Sequence, residues 1–158
     1  MSEDVSKELY LKENTNKIIC ADALKTLKNF PDESIHCSIT SPPYYGLRDY
    51  HKEGQIGREA TVEEYIDRLV QVFREVRRVL KKDGTCFIVI GDSYAGTGSK
   101  GDREDSKNPI GRTGQKVSLS QKMVGYKSKD LMGIPWRLAF ALREDGWYLR
   151  SDIIWHKE

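Results

Sequence analysis

The amino-acid sequence predicts an α/β domain with a largely parallel sheet. Short apolar runs of strand length alternate along the chain with longer segments whose apolar residues recur at helical spacing, which is the order expected of βαβ units. One run, TCFIVI at Thr85–Ile90, is apolar on both faces, as expected for a central parallel strand that helices cover on both sides. The 158 residues, 38% hydrophobic and 32% charged, predict one folded domain with a substantial core.

The chain is predicted to begin with an arm that precedes the domain. Residues 1–16 are polar, show no clear period and are interpreted as an N-terminal arm, whereas residues 17–158 are interpreted as the domain. The domain starts with a short buried strand, Ile18–Cys20, which ends at Asp22.

A helix and a second strand are predicted next. The helix ends at Pro31 and is expected to turn three apolar residues inward, Leu24, Leu27 and Phe30. The second strand lies in SIHCSIT, where apolar residues occupy every second position, at Ile35, Cys37 and Ile39.

A longer helix has a clear start signal. Thr61 and Glu64 have the spacing of a capping box, and apolar residues then recur at helical spacing, at Tyr65, Leu69, Val72, Phe73, Val76 and Leu80. Lys81, Lys82 and the turn pair Asp83-Gly84 are predicted to end this helix before the strand Thr85–Ile90 begins.

A long segment without a visible period follows that strand. Residues 95–129 contain eight basic and three acidic residues, a net charge of +5, in a chain whose net charge is only +2. The segment is interpreted as a flexible basic loop that binds phosphates, and a merely solvated loop would carry the same charge. A helix is predicted around Pro135, with Trp136, Ala139, Phe140 and Leu142 on its apolar side and its end at Gly146. Residues 147–157 are predicted to form a last strand.

Composition excludes some classes of protein. No apolar run reaches the length of about 18 residues that a membrane span needs, and the N-terminus has no signal-peptide pattern, so a cytoplasmic protein is expected. The three cysteines, Cys20, Cys37 and Cys86, lie in predicted strands without ligand spacing, which predicts buried free thiols and no metal site.

The stretch SITSPPYY places an unusual turn at the end of the second strand. Pro42 and Pro43 each fix φ near −65° and lack an N–H group, so the turn is stiff and offers only acceptors. Tyr44 then adds an aromatic face beside them. A planar ligand with an NH₂ group could stack on Tyr44 and donate to the Ser41 hydroxyl and the Pro42 carbonyl. An ordinary proline-rich turn with a packing tyrosine would show the same letters.

Several segments together resemble the amino-methylating DNA methyltransferases, which act on N4 of cytosine or N6 of adenine. TSPPY resembles motif IV of that family, and three long stretches resemble one site-specific branch of it: ADALKTLKNFPDESIHCSITSPPYYGLRDY, YIDRLVQVFREVRRVLKKDGTCFIVIGDSY and KDLMGIPWRLAFALREDGWYLRSDIIWHK. The resemblance implies a Rossmann-like class I fold, S-adenosylmethionine as the methyl donor and double-stranded DNA as the substrate.

The resemblance also implies roles for single residues. Ser41, Pro42, Pro43 and Tyr44 would form the catalytic turn, with Asp22, Ala23 and Ser41 near the cofactor. Trp155 and Lys157 would join Tyr44 in the pocket for the target base. Asp92 and Tyr94 belong to a recurrent GDSY segment, for which no role follows from the sequence. Three lysines of the basic loop are expected to contact the DNA backbone, Lys116, Lys122 and Lys127.

Two further features limit this interpretation. Relatives bind S-adenosylmethionine largely through a Phe-x-Gly-x-Gly turn, which residues 1–158 lack, so the chain resembles the first half of a permuted enzyme whose fold is incomplete. A missing C-terminal half or a second polypeptide would then complete the cofactor site. Ser at position 41 favours cytosine N4, and adenine N6 stays open. Methylation of a protein glutamine and a nucleic-acid-binding remnant without activity are the alternatives.

Overall fold

The computed structural model describes residues 3–47, 49–95 and 125–156. Within these ranges, four helices and two strands follow one another as α1 (Glu3–Asn14), α2 (Ala23–Leu27), β1 (Ile35–Thr40), α3 (Val62–Val79), β2 (Leu80–Ile88) and α4 (Ile134–Glu144). The chain therefore has the α/β content that the sequence predicts. No helix in the described ranges is long and apolar enough to cross a membrane.

The two strands form a parallel pair, as predicted. Ile35 pairs with Leu80, and regular pairing then runs from Cys37 opposite Thr85 to Thr40 opposite Ile88. Residues 81–84 lie outside this register, because two steps along β1 span five along β2. The sequence predicted a turn at this point between a helix and a strand; the helix instead ends at Val79, and the irregular segment lies inside β2.

Helix α3 supplies the core. Its capping box is confirmed, because Thr61 accepts from the Glu64 N–H and the Glu64 carboxylate accepts from the Thr61 N–H. The buried face of α3 contains Val62, Tyr65, Ile66, Leu69, Val70, Phe73, Val76 and Val79. This face packs against one side of the strand pair, where Cys86 and Ile88 contact the core, and against α4 and α2. The core is thus a helix layer on one face of a small sheet.

The opposite face of the strand pair is open, which corrects the prediction of a sheet covered on both sides. Ile39 and Phe87 are register partners on this face, and they are 75% and 48% exposed. Cys37 and Cys20 are exposed and Cys86 is only half-buried, so the prediction of buried thiols is also wrong, although all three are free. Ile39, Phe87 and Cys37 are exposed because α3 covers a single face, and no second layer of described residues lies on the other.

Two predicted strands are not strands in the structure. Residues 17–20 and 147–156 pair with no neighbouring strand within the described ranges, and Ile18 is fully exposed. A strand forms only where a neighbouring backbone completes its hydrogen bonds, and the described chain places none beside these apolar runs. Lys157, the last residue of the predicted C-terminal strand, lies outside the described residues.

The helices also differ in detail from the sequence prediction. The polar arm contains helix α1, whose Tyr10 packs edge-on against Phe30 with ring centroids 5.2 Å apart. Helix α4 buries Ile134, Leu138 and Leu142 at a spacing of four residues. Two of the four residues predicted for its apolar side, Trp136 and Phe140, are exposed instead.

Candidate active site

The Ser41–Tyr44 turn follows β1 directly. Thr40, the last residue of β1, pairs with Ile88, and its carbonyl oxygen accepts a hydrogen bond from the Val89 N–H at 2.9 Å. The turn therefore lies at the carboxyl end of a parallel strand, which confirms this part of the prediction. In open parallel sheets, this edge is where ligands bind.

A buried tyrosine on α3 holds the backbone of the turn. The hydroxyl of Tyr65 donates to the carbonyl oxygen of Pro43 with 2.7 Å between the two oxygens, and Tyr65 is 0% exposed. Burial raises the pKa of Tyr65 well above its ordinary value, so the phenol stays a neutral donor. Ser41 on the same turn is exposed, whereas Pro42 is buried. The turn thus presents the exposed Ser41 hydroxyl on a backbone that the Tyr65 hydrogen bond holds in place.

Two glycines allow the chain to approach Tyr44 closely. A Cβ atom on Gly91 would lie 2.9 Å from Cε2 of the Tyr44 ring, and one on Gly57 would lie 2.8 Å from the Tyr44 carbonyl oxygen. Gly57 also has a φ of +97°, which favours glycine on its own account. The half-buried Tyr44 ring therefore rests against the backbone that follows β2. The sequence predicted the aromatic face of Tyr44 but not the close contact between its ring and Gly91.

The loop after the turn is held by an ion pair between the buried Glu59 carboxylate and the partly exposed Arg68 side chain. The Glu59 side chain is 4% exposed, accepts from Nη1 of Arg68 at 2.7 Å and also accepts from the Gly57 N–H at 2.8 Å. Arg68 donates further to the carbonyl oxygens of Gln55 and Gly54 at 3.1 and 2.5 Å. A carboxylate that is buried and fully paired fixes the loop geometry, because breaking it would leave an uncompensated charge.

Tyr45 links this loop to the core. Its ring lies 5.2 Å from the Tyr65 ring, and its hydroxyl donates to the Glu59 carbonyl oxygen at 3.3 Å. Burial, together with the nearby Glu59 carboxylate, raises the pKa of Tyr45 to about 12. Both phenols are therefore neutral, and of the two hydroxyls only that of Tyr65 contacts the Ser41–Tyr44 turn.

Asp92 has a structural role, which answers a question that the sequence left open. One oxygen of its carboxylate, Oδ1, accepts from the N–H groups of Ser93 and Ile134 at 2.8 and 3.0 Å, and Oδ2 accepts from the Gly133 N–H at 3.0 Å. Gly133 is the N-cap of α4, has a φ of 71° and provides no side chain for capping. Asp92 therefore caps α4 from another part of the chain.

Hydrogen bonds around Asp92 join the two described segments that flank residues 96–124. Tyr94 and Leu131 form an antiparallel bridge, and Ala95 exchanges backbone hydrogen bonds with Asp130 and Lys129 at 2.8 and 2.9 Å. Ser93 also donates from its hydroxyl to the Tyr45 carbonyl oxygen at 3.4 Å. The two ends of the basic segment are therefore joined to each other and to the residue that follows the Ser41–Tyr44 turn. Residues 96–124 of the predicted loop, which include Lys116 and Lys122, lie outside the described residues.

The residues predicted for the cofactor show a local contact instead of an enclosed site. Asp22 is the N-cap of α2, because its Oδ1 accepts from the Lys25 N–H at 2.8 Å, and Ala23 is the first residue of that helix. Residues 17–23 are all exposed. The cap accounts for Asp22 without a ligand, and its assignment to a cofactor stays a prediction.

The remaining predicted residues are far from buried. Trp155 is 73% exposed within an extended segment, and Lys127 is exposed near the end of the basic segment. Lys157 lies outside the described residues. The pocket for a target base and the contacts to DNA therefore stay predictions, because the described side chains alone do not enclose such a pocket.

The fold and the candidate site define a class of protein, namely an α/β protein with a Ser-Pro-Pro-Tyr turn at the end of a parallel strand. A family model described as DNA methylase, of the N6/N4 methyltransferase type, matches residues 35–158, which include the turn. The chain belongs to this DNA methylase family.

Curated relatives agree with the family match. The chain is 54% identical over 137 residues to Type II methyltransferase M.XycI from Xanthomonas campestris pv. cyanopsidis and 51% identical over 137 residues to M.Cfr9I from Citrobacter freundii. In both cases the match covers 86% of this chain and 44% of the relative. M.SmaI from Serratia marcescens is 51% identical over 142 residues, which are 89% of this chain and 47% of that protein. The chain thus spans just under half the length of these relatives.

Proposed function

We propose that this chain forms the catalytic-turn part of a restriction-modification DNA methyltransferase with a Rossmann-like class I fold. The enzyme transfers a methyl group from S-adenosylmethionine to the exocyclic amine of a base in double-stranded DNA. One observation carries the proposal: Ser41-Pro42-Pro43-Tyr44 lies at the carboxyl end of β1, and Tyr65 holds the Pro43 carbonyl from below. The names of the relatives, which are Type II methyltransferases, support the same reaction class.

The chemistry requires acceptors at fixed positions. An exocyclic amine is a poor nucleophile because its lone pair is delocalised into the ring. Hydrogen bonds from its two N–H groups to the Ser41 hydroxyl and the Pro42 carbonyl favour a pyramidal nitrogen with a directed lone pair. The stiff proline pair holds these acceptors without reorganisation, so catalysis rests on positioning and electrostatics and needs no covalent intermediate.

The base has to leave the duplex to reach this turn. Flipping costs a few kcal/mol, and stacking on the Tyr44 ring returns part of that free energy. Trp155 and Lys157 are proposed to complete the base pocket, and the basic segment with Lys116, Lys122 and Lys127 is proposed to hold the DNA backbone. Serine at position 41 favours cytosine N4 as the target, with adenine N6 as the alternative.

The described residues fit only one side of a cofactor site. One carboxylate oxygen of Asp22 accepts the hydrogen bond that caps α2. The segment around Asp22 is exposed, so these residues do not enclose a molecule as large as S-adenosylmethionine. When bound, S-adenosylmethionine supplies the methyl group. Ser41 and Pro42 hold the amine that receives it, and Ser41 is also predicted to lie near the cofactor.

The exposed apolar face of the sheet supports the proposal that further protein packs there and completes the cofactor site. Ile39 and Phe87 are apolar register partners that lie exposed, although parallel sheets are normally covered on both faces. We assign this face to the remaining portion of the methyltransferase fold, as a C-terminal half or a second polypeptide.

The test compares the chain alone with a completed enzyme, in which the chain is fused to the remaining portion of the Xanthomonas relative. Titration calorimetry with S-adenosylmethionine measures cofactor binding, and transfer of a tritiated methyl group to duplex DNA measures activity. The proposal predicts methyl transfer by the completed enzyme and its loss in the Ser41→Ala variant. DNA binding without cofactor binding or methyl transfer in both proteins would favour an inactive nucleic-acid-binding remnant instead.

A further inference from the structure

Tyr65 occupies the most constrained position next to the catalytic turn. It lies in the first turn and a half of α3, directly after the capping box formed by Thr61 and Glu64. The side chain is 0% exposed, and its ring contacts that of Tyr45 at 5.2 Å. Its hydroxyl reaches across 22 residues of sequence to the Pro43 carbonyl at 2.7 Å. A rigid helix therefore delivers one donor to one atom of the turn.

The position of the Pro43 carbonyl oxygen determines the backbone path of the turn into Tyr44. The proline rings fix φ of Pro42 and Pro43, so ψ of Pro43 is the main angle left to set the path of the chain into Tyr44. The direction of the Pro43 carbonyl defines this angle. The peptide unit is planar, so a fixed carbonyl oxygen also fixes the nitrogen of Tyr44. Neither proline has an N–H group that could hold the turn in another way.

We propose that Tyr65 is a positioning residue of the site. Its hydrogen bond to Pro43 sets the direction in which the turn presents Tyr44, without contact between Tyr65 and the substrate. The catalytic consequence rests on the proposed methyltransferase function, whereas the effect on the backbone of the turn does not.

The chain offers a matched pair of substitutions. Tyr65→Phe removes one hydroxyl and retains the buried ring, so the helix and core keep their packing. Tyr45→Phe removes a hydroxyl from the adjacent ring, but that hydroxyl donates to the Glu59 carbonyl at 3.3 Å and not to the turn. Loss of packing or of a generic buried hydroxyl affects both variants, whereas loss of positioning affects only Tyr65→Phe.

The first measurement is nuclear magnetic resonance of the 158-residue chain with ¹³C-labelled proline and ¹⁵N-labelled tyrosine. In Tyr65→Phe, the Pro43 carbonyl and Tyr44 amide signals are expected to shift, while in Tyr45→Phe both stay near their wild-type positions. Unchanged signals in Tyr65→Phe would overturn the proposal.

The second measurement is methyl transfer to duplex DNA. In Tyr65→Phe, kcat is expected to fall by about ten- to a hundredfold, the range associated with small misplacements of reacting groups, with little change in KM for DNA. Tyr45→Phe is expected to lose much less. Wild-type kcat in Tyr65→Phe would overturn the proposal. If the wild-type chain transfers no methyl group, the result shows only that the chain is inactive on its own. The resonance measurement still decides the role of Tyr65.

Discussion

Substitution of Gly91 by alanine tests whether the rate of methyl transfer depends on the position of the Tyr44 ring. The backbone at Gly91 lies outside the left-handed region, so alanine fits the main chain. Its Cβ would lie 2.9 Å from Cε2 and 3.5 Å from Cδ2 of Tyr44, whereas ordinary contact begins at 3.4 Å. The ring therefore has to move by about half an ångström, while Ser41 and the prolines keep their places.

The size of the effect follows from where the ring can go. Overpacking in a closed core costs about 1–3 kcal/mol, but Tyr44 is half-buried and can shift toward solvent, so a loss of about 1 kcal/mol in the free energy of unfolding is expected. In the proposed mechanism, the rate depends on the ring position more strongly than stability does, because a misplacement of about 1 Å can cost a hundredfold in rate. We expect kcat for methyl transfer by the completed enzyme to fall about tenfold in Gly91→Ala.

A double-mutant cycle separates the ring from other effects of the methyl group. Urea unfolding and methyl-transfer rates are measured for Gly91→Ala, Tyr44→Ala and the double variant. In the Tyr44→Ala background, the added methyl group meets open space and is expected to cost almost nothing further. An equal loss in both backgrounds, or a kcat for Gly91→Ala within twofold of wild type, would refute the idea that Gly91 seats the ring.

Four further predictions concern Asp92, Tyr44, Tyr45 and the basic segment. Asp92→Asn turns an amide nitrogen toward one of three backbone donors, so the free energy of unfolding is expected to fall by about 1–3 kcal/mol in urea titration, and an unchanged midpoint would contradict the capping role. Tyr44→Ala in the completed enzyme is expected to lower turnover far more than DNA affinity, measured by methyl transfer and gel shift; equal losses would contradict a stacking role. The pKa of Tyr45 is about 12 in the folded chain, above the ordinary value of 10.0, so its contribution to stability is complete below pH 10 and disappears toward pH 12. Tyr45→Phe is expected to flatten that part of the stability profile, and an unchanged slope would argue against burial of the phenol. Finally, glutamine in place of Lys116, Lys122 and Lys127 is expected to flatten the log–log salt dependence of DNA binding by about one unit for each phosphate that the protein no longer neutralises. If the triple variant and the wild type have the same slope, these lysines do not contact the DNA backbone, and their charge is only that of a solvated surface.

Local signals in the sequence predicted the parts of the fold that local physics determines. The Thr61–Glu64 capping box and the apolar period after it correctly predicted α3, since both are set within a few residues of one another. The Ser-Pro-Pro-Tyr turn was correctly predicted at a strand end, because the alternating run before it and the prolines after it leave few other conformations.

Features that depend on distant partners could not be predicted. The helix from Ile134 has two apolar faces, and packing against α3 buries the face with Leu138 while Trp136 and Phe140 stay outside. The apolar run at Ile18–Cys20 indicates a preference for burial but cannot supply the neighbouring backbone that a strand requires.

The supports of the site were invisible for the same reason. The bond from Tyr65 to Pro43 joins residues 22 positions apart, and Asp92 caps a helix that begins 42 positions later. In the sequence, Tyr65 is one apolar position among several in a helix. Its hydroxyl reaches the turn only because α3 packs against the strand pair.

The most direct test of the central claim is mass spectrometry of nucleosides from duplex DNA incubated with S-adenosylmethionine and the completed enzyme. The turn at Ser41–Tyr44 is proposed to act on an exocyclic amine, so N4-methylcytosine is expected, with N6-methyladenine as the alternative product. Neither product is expected in the Ser41→Ala variant. Formation of 5-methylcytosine, or undiminished product in Ser41→Ala, would contradict the assignment of this turn as the site of methyl transfer.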